Sequence, residues 1–338
     1  MYKKVGIPRG LFYYKYFPLW KTFLEELGAE ITVSDPTNKR ILDDGVRACV
    51  DEACLPVKLF HGHVKNLSGR VDCLFIPRFT SISRNEYVCP QIGGLPDTVR
   101  HTLKDLPPVI DTEVNMRKSA SNSWKAALET GRWFTSDKKA IKAAYHKAVD
   151  AYRSYRSGIK KGELPFGKRT AAGIHTRPAG EKPLKIAVIG HVYNLYDTYI
   201  NMNMLEKLGN SGVEIITADM VEEDKINLNV AGLNKPMFWN FGRKALGSAL
   251  HLAGSGEIDG IIYVMSFGCG IDSFVCDLME RRLKKQVDIP FTLLTIDEHS
   301  GEAGMNTRLE AFIDMIEINA KNKCRGRNTD ETDISASG

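Results

Sequence analysis

The chain predicts an α/β protein built from two Rossmann-like (flavodoxin-like) domains with mainly parallel sheets and a site in the cleft between them. Three observations carry that prediction. Short apolar strands alternate with helical segments through the first third of the chain and again from Leu184 onward. A basic stretch that lacks the alternation separates the two series. A length of 338 residues also favours two domains over one.

The elements follow in order. Lys4-Val5-Gly6-Ile7-Pro8 reads as a strand, Leu19 to Leu27 as a helix stopped by Gly28, and Glu30 to Val33 as the next strand, which makes a βαβ unit. A helix over Lys39 to Cys49 precedes Pro56 to Leu67, where Val57, Phe60, Val64 and Leu67 share one face of an amphipathic helix. Pro56 suits a first helical turn and leaves Cys54 near the cap. Val71 to Pro77 is an apolar, buried strand, and Arg78 to Tyr87 a polar loop that delivers Cys89. From about Thr112 to Lys182 the pattern becomes a long basic helix, Asp137 to Tyr155, followed by a Gly/Pro/Lys-rich stretch, read as a connection. The second series comprises strands Leu184 to Gly190, Val213 to Ala218, Gly260 to Met265 and Phe291 to Ile296. Its helices are Tyr196 to Leu208, Asn240 to Ala253 and Ile271 to Leu283, with a terminal helix carrying Leu309, Phe312, Ile313 and Ile316 on one face. The expected organisation is an N-terminal α/β domain over 1–111, a helical basic connection over 112–182, a C-terminal α/β domain over 183–325 and a disordered tail over 326–338. No fixed-period repeat relates the halves.

Composition narrows the function. Seven cysteines, an odd number in a chain this long, do not form the disulfide framework of a short secreted domain, and they place the protein in a reducing compartment. No secretory apolar segment follows Met1 and no stretch is long enough to span a bilayer, so the expectation is a soluble, cytoplasmic protein that engages no membrane. A net charge of +5, from 46 basic and 41 acidic residues, is too diffuse for a nucleic-acid surface.

The cysteines carry the chemistry. Cys54 and Cys89 precede prolines, and Cys269 sits between glycines directly after a strand, so all three occupy turns where helices begin. Free N–H groups and the partial positive charge of a helix N-terminus stabilise a thiolate, the form that ligates a metal. In open parallel sheets ligands bind beyond the carboxyl ends of the strands, where Cys269 falls. Three thiolates hold a [4Fe–4S] cluster with one iron left open, and that open iron can bind a substrate oxygen. Cys73 lies inside an apolar run and reads as core; Cys276 falls mid-helix, Cys324 in a polar tail, and Cys49 on the helix before Cys54. Asp297-Glu298-His299-Ser300 leaves the strand end nearest in kind to Cys269. It offers Glu298 and His299 as acid/base residues, or Asp297 and Ser300 as helix caps. The imidazoles of His61 and His63 are spaced two apart, which on a helix directs them to different faces and favours packing over a metal pair.

Several motifs together resemble a known family. Asp51-Glu52-Ala53-Cys54-Leu55-Pro56-Val57-Lys58, Gly62-His63-Val64, Val71-Asp72-Cys73-Leu74-Phe75-Ile76-Pro77-Arg78, Cys89-Pro90, Gly93-Gly94-Leu95-Pro96, Phe267-Gly268-Cys269-Gly270 and Thr295 through Gly304 resemble the proteins related to 2-hydroxyacyl-CoA dehydratase subunits and to the companion domain of acyl-CoA dehydratase activases. The resemblance implies an iron-sulfur protein that receives a low-potential electron from an ATP-hydrolysing activase of the acetate-kinase/actin superfamily. It acts there as a reductase or dehydratase-like component on a small molecule or a CoA thioester, with a homodimeric or heterodimeric assembly. Cys54, Cys89 and Cys269 match the family's cysteines. Relatives with an [8Fe–9S] double cubane need more thiolates, which here would come from Cys49, Cys73 or Cys276. The contrasting expectations are a non-catalytic electron-transfer or scaffold partner of the activase, and a cluster-free α/β binding protein.

Overall fold

The computed structural model describes residues 3–167 and 183–334, with side chains of the terminal helix described to residue 319. The first series runs β1 (Lys4–Ile7), α1 (Tyr13–Glu26), β2 (Glu30–Val33), α2 (Lys39–Ala48), α3 (Leu55–Leu67), β3 (Cys73–Phe75), β4 (Arg78–Ser81), α4 (Pro90–Gly93), α5 (Leu95–Thr102), β5 (Val109–Ile110) and β6 (Glu113–Asn115). Two helices follow, α6 (Asn122–Gly131) and α7 (Lys138–Lys160). The second series is β7 (Leu184–Gly190), α8 (Val192–Tyr196), α9 (Met204–Asn210), β8 (Val213–Thr217), α10 (Glu223–Val230), α11 (Asn240–Ser255), β9 (Gly260–Ser266), α12 (Gly270–Gln286), β10 (Phe291–Ile296) and α13 (Glu302–Ile334). The expected disordered tail therefore overlaps the end of α13 as far as 334, and 335–338 lie outside the described residues, as does the side chain of Cys324.

Both main sheets are parallel, and both have the same order. The first reads β2-β1-β3-β5 and the second β8-β7-β9-β10, so each starts in the middle, steps one way, then crosses to the other side. That is the flavodoxin-like order, in which the crevice opens between the first and third strands of the set. In the first half this point is the β1/β3 boundary, and in the second the β7/β9 boundary. A short parallel pair, β4 with β6, was not legible as strands because Arg78–Ser81 is polar in sequence.

Helix α1 begins six residues before the sequence pattern places it, upstream of Pro18. Proline has no N–H, so the Tyr14 carbonyl four residues earlier loses its helical donor. The Tyr155 hydroxyl of α7 supplies one at 2.7 Å. This docks α7 on α1, and Ile141, Ala144 and Ala148 of α7 join the core that holds Val5, Ile7, Leu74 and Ile110. The basic helix expected as a connection is thus packed against the first half along one face.

The second sheet has a core on each side. Met204, Leu208, Leu309 and Phe312 cover one face, and Leu246, Ala249, Val275 and Met279 the other. Helix α3 departs from its expected amphipathic character. Its Val57, Phe60, Val64 and Leu67 pack into the first core while Leu55 and Leu59 pack into the second, so the helix is a wedge buried on both sides. Gly45 of α2 and Gly62 of α3 let the two helix backbones touch: a β-carbon at Gly62 would lie 1.9 Å from the Ile41 carbonyl oxygen, and one at Gly45 1.9 Å from that of Lys58.

Candidate functional site

Each of the three singled-out cysteines is the N-cap residue of a helix: Cys54 of α3, Cys89 of α4 and Cys269 of α12. Pro56 and Pro90 sit in the first turns of their helices, where a missing N–H costs nothing. Cys269 follows β9 through Gly268, whose φ of +79° turns the chain, and that turn lies against Cys54: a β-carbon on Gly268 would stand 3.7 Å from the Cys54 Cα. All three thiols line one small cavity between the halves, walled by Tyr193, Trp239, Phe241 and His191 on one side and by Leu11, Val57 and Gln91 on the other. The Cys54 thiol donates to Gln91 Oε1 at 3.5 Å.

The electrostatics oppose each other. Burial pushes the Cys54 thiol up to about 11, with the Val57 N–H pulling the other way. Burial likewise raises Cys89, against the N–H groups of Gln91 and Ile92. Cys269 is raised by burial and lowered by a hydrogen bond from His191 and by the Asp272 N–H. The helix N-termini therefore favour thiolate as the sequence predicts, but burial outweighs them and raises all three thiols.

His191 is the residue the sequence reading missed. It is the first residue after β7, at the crevice position of the second sheet, and that placement beyond a strand end is the signal available for it. Its Nε2 lies 3.0 Å from Asp272 Oδ1, and a ligand atom each from His191, Cys269 and Asp272 fall within 4.8 Å of one another. Burial alone would lower its pKa; the Asp272 carboxylate and Cys269 outweigh it and lift the imidazole to about 10. Asp272 also accepts from the Tyr263 hydroxyl at 2.9 Å. A fixed imidazolium against Cys269 thus offsets the negative charge that Asp272 imposes on the thiols.

The remaining sequence candidates lie elsewhere. Cys73 is fully buried in the first core and Cys276 in the core behind α12, while Cys49 caps the C-terminus of α2; none of them lines the thiol cavity. Glu298 forms a 2.6 Å ion pair with Lys58, whose side chain is 5% exposed, one turn along α3 from Cys54. His299 is exposed, and its backbone N–H, with the Ser300 hydroxyl, donates to Asp297. The Asp297–Ser300 segment is therefore a hydrogen-bonded turn leading into α13, and its glutamate anchors α3. His61 and His63 are both buried, His61 donating from Nδ1 to the Val57 carbonyl and His63 hydrogen-bonded to Ser34 and Thr37.

Residues 4–221 match the family model described as the CoA enzyme activase uncharacterised domain (DUF2229), and residues 219–316 match that of the 2-hydroxyglutaryl-CoA dehydratase D-component. A comparison with curated proteins returns no match. The first match spans more than half of the chain and contains Cys54 and Cys89, the second contains Cys269, and the motif resemblance agrees with both: the chain belongs to the 2-hydroxyacyl-CoA dehydratase and activase-related family and is a dehydratase-like component of it.

Proposed function

We propose that Cys54, Cys89 and Cys269 hold a [4Fe–4S] cluster, and that the protein receives low-potential electrons on it from an ATP-hydrolysing activase and acts as a reductase or 2-hydroxyacyl-CoA dehydratase-like enzyme component. The observation that carries this reading is the convergence of three N-cap cysteines, drawn from both halves, on one cavity. The donor set fits the group: thiols only, each facing helix N–H groups, with a protonated imidazole against one of them. Three thiolates fill all but one of a cubane's outer positions, whereas a double cubane would need sulfur from Cys49, Cys73 or Cys276, which this cavity does not contain. When bound, the cluster supplies one-electron chemistry and one iron open to a ligand.

The chain's own residues do the rest. Tyr193, Trp239 and Phe241 wall the pocket against water. His191 holds a proton at Nε2 against Asp272, and the imidazolium beside Cys269 would offset part of the negative charge of a thiolate-bound group. No Gly-x-x-x-x-Gly-Lys-Ser/Thr sequence occurs in the chain, since the one Gly-x-x-x-x-Gly-Lys run, Gly162 to Lys168, continues with Arg169, and this supports placing ATP hydrolysis on a separate partner.

Iron and sulfide analysis of anaerobically reconstituted protein tests the reading. About four irons per chain are expected. Cys54→Ser, Cys89→Ser and Cys269→Ser each lose iron, because a hydroxyl is a poor substitute for thiolate, while Cys73→Ser retains it. Colourless, iron-free protein after reconstitution overturns the assignment. Turnover in the presence of an activase, ATP and reductant then separates an enzyme from an electron relay.

A further inference from the structure

A second cavity, of ≈670 Å³, shares no lining residue with the thiol pocket. It opens at the carboxyl ends of β1, β2 and β7, where the following loops contribute Arg9, Thr37, Asp197 and Asn201, and its size falls within the range of small-molecule sites.

Three features of its wall call for a ligand. The Arg9 guanidinium carbon stands 5.5 Å from the centroid of the Tyr13 ring, and its Nε donates to the Ser34 carbonyl at 3.3 Å; no carboxylate pairs with it among the described residues. Asn201 is 1% exposed, and its Nδ2 donates to the Leu195 and Asn194 carbonyls at 2.6 and 3.3 Å, yet its Oδ1 has no donor. A buried acceptor left unpaired is costly, and a donor brought by a ligand relieves it. The third feature is an aromatic face: Phe166, held at φ +64°, puts its ring 5.2 Å from Tyr13 and 6.1 Å from Tyr14. Left-handed backbone at a non-glycine residue stores strain, and such residues collect at ligand clamps.

The opposite wall is rigid. Asp197 accepts from the Thr37 hydroxyl at 2.5 Å and from the backbone N–H groups of Tyr199 and Ile200. Because Thr37 donates to Asp197, His63 Nε2 must donate to Thr37, at 3.0 Å, and His63 Nδ1 accepts from Ser34 at 2.9 Å. Burial, with Arg9 adding to it, lowers His63 to about 3, so the ring is the neutral tautomer that this chain of bonds requires. Asp197 is therefore occupied, and it and Glu206 make the cavity unfavourable for a dianion.

We propose that this cavity binds a ring-bearing organic monocarboxylate: Arg9 takes the carboxylate, the Tyr13, Tyr14 and Phe166 face takes the ring, and Asn201 Oδ1 accepts from a hydroxyl or N–H of the ligand. The inference does not depend on whether the thiols hold iron. Isothermal titration of the full chain, before and after iron reconstitution, tests it with 4-hydroxyphenylacetate as the probe. Phenylacetate lacks the hydroxyl, and 4-hydroxyphenylacetamide lacks the charge. The acid is expected to bind in both preparations, the uncharged amide at least about tenfold more weakly, and phenylacetate at an intermediate strength. Arg9→Lys keeps the charge over Tyr13 but loses the planar fork, and should weaken the acid while leaving the amide unchanged. Absence of binding by all three probes, or equal binding of acid and amide, overturns the proposal. The acid and amide comparison on the unaltered chain decides the matter even where Arg9→Lys fails to fold.

Discussion

Gly62→Ala tests how Cys54 is positioned. Helices α2 and α3 cross with backbone against backbone, and the added β-carbon would sit 1.9 Å from the Ile41 carbonyl oxygen, where ordinary contact begins at 3.4 Å. The helices must part by the difference, about 1.5 Å, in a protein interior packed too densely to absorb it. Alanine gains about 1 kcal/mol of helix propensity over glycine. Overpacking costs about 1–3 kcal/mol, and a clash with backbone rather than with a flexible side chain belongs at the upper end, so the net loss is about 2 kcal/mol. The expected drop in Tm is about 3 °C. Since α3 carries Cys54 at its cap, iron uptake should fall with it. The control is Gly254→Ala on α11, where a β-carbon meets nothing within 4 Å and the same propensity gain acts alone. Thermal melts of both variants with iron content after reconstitution make the comparison. A Gly62→Ala protein that melts with or above Gly254→Ala and takes up full iron refutes the close-crossing argument.

Three further outcomes follow from the ion pairs. Glu298→Gln leaves the buried Lys58 ammonium without its carboxylate and should cost about 1–2 kcal/mol, discounted because Glu298 is partly exposed; unchanged stability would return Glu298 to the pool of acid/base candidates. Asp219→Asn strips the one carboxylate shared by Lys244 and Arg156, which tie α11 and α7 to the end of β8, and should cost about 3–5 kcal/mol in a denaturant titration. Burial works against both carboxylates, but the ammonium of Lys58 beside Glu298, and those of Lys244 and the Arg156 guanidinium beside Asp219, hold them below their ordinary values of 4.5 and 3.8. Their contribution is therefore complete above those values and is lost as pH falls below them; in Asp219→Asn the acid limb of a stability-against-pH curve should flatten, and an unchanged limb would argue against the assignment.

How legible this was depends on where the signal resides. Strands Glu30–Val33, Leu184–Gly190 and Phe291–Ile296 carry their own apolar β-branched runs, and the sequence places them at the observed bounds. Cys54 and Cys89 announce their caps through the prolines behind them. The helix expected over Tyr196 to Leu208 forms only from Met204, as α9, because Met202 and Asn203 adopt left-handed backbone just before it, and α8 lies upstream over Val192–Tyr196. Helix α1 starts ahead of Pro18 because Tyr155, far along the chain, repairs the missing hydrogen bond. His191, Asp272 and Lys58 take their roles from partners in other elements, and one-dimensional spacing holds no trace of such partners.

The split origin of the thiols sets a schedule for the cell. Cys89 and Cys269 lie more than half the chain apart, and each belongs to a different sheet. Closing so long a loop is repaid only when both halves have already condensed, because no shorter segment presents more than two of the three sulfurs. For the proposed cluster, iron delivered during synthesis would find only fragments of a binding site, so nearly the whole chain, α12 included, would have to be made before loading could begin.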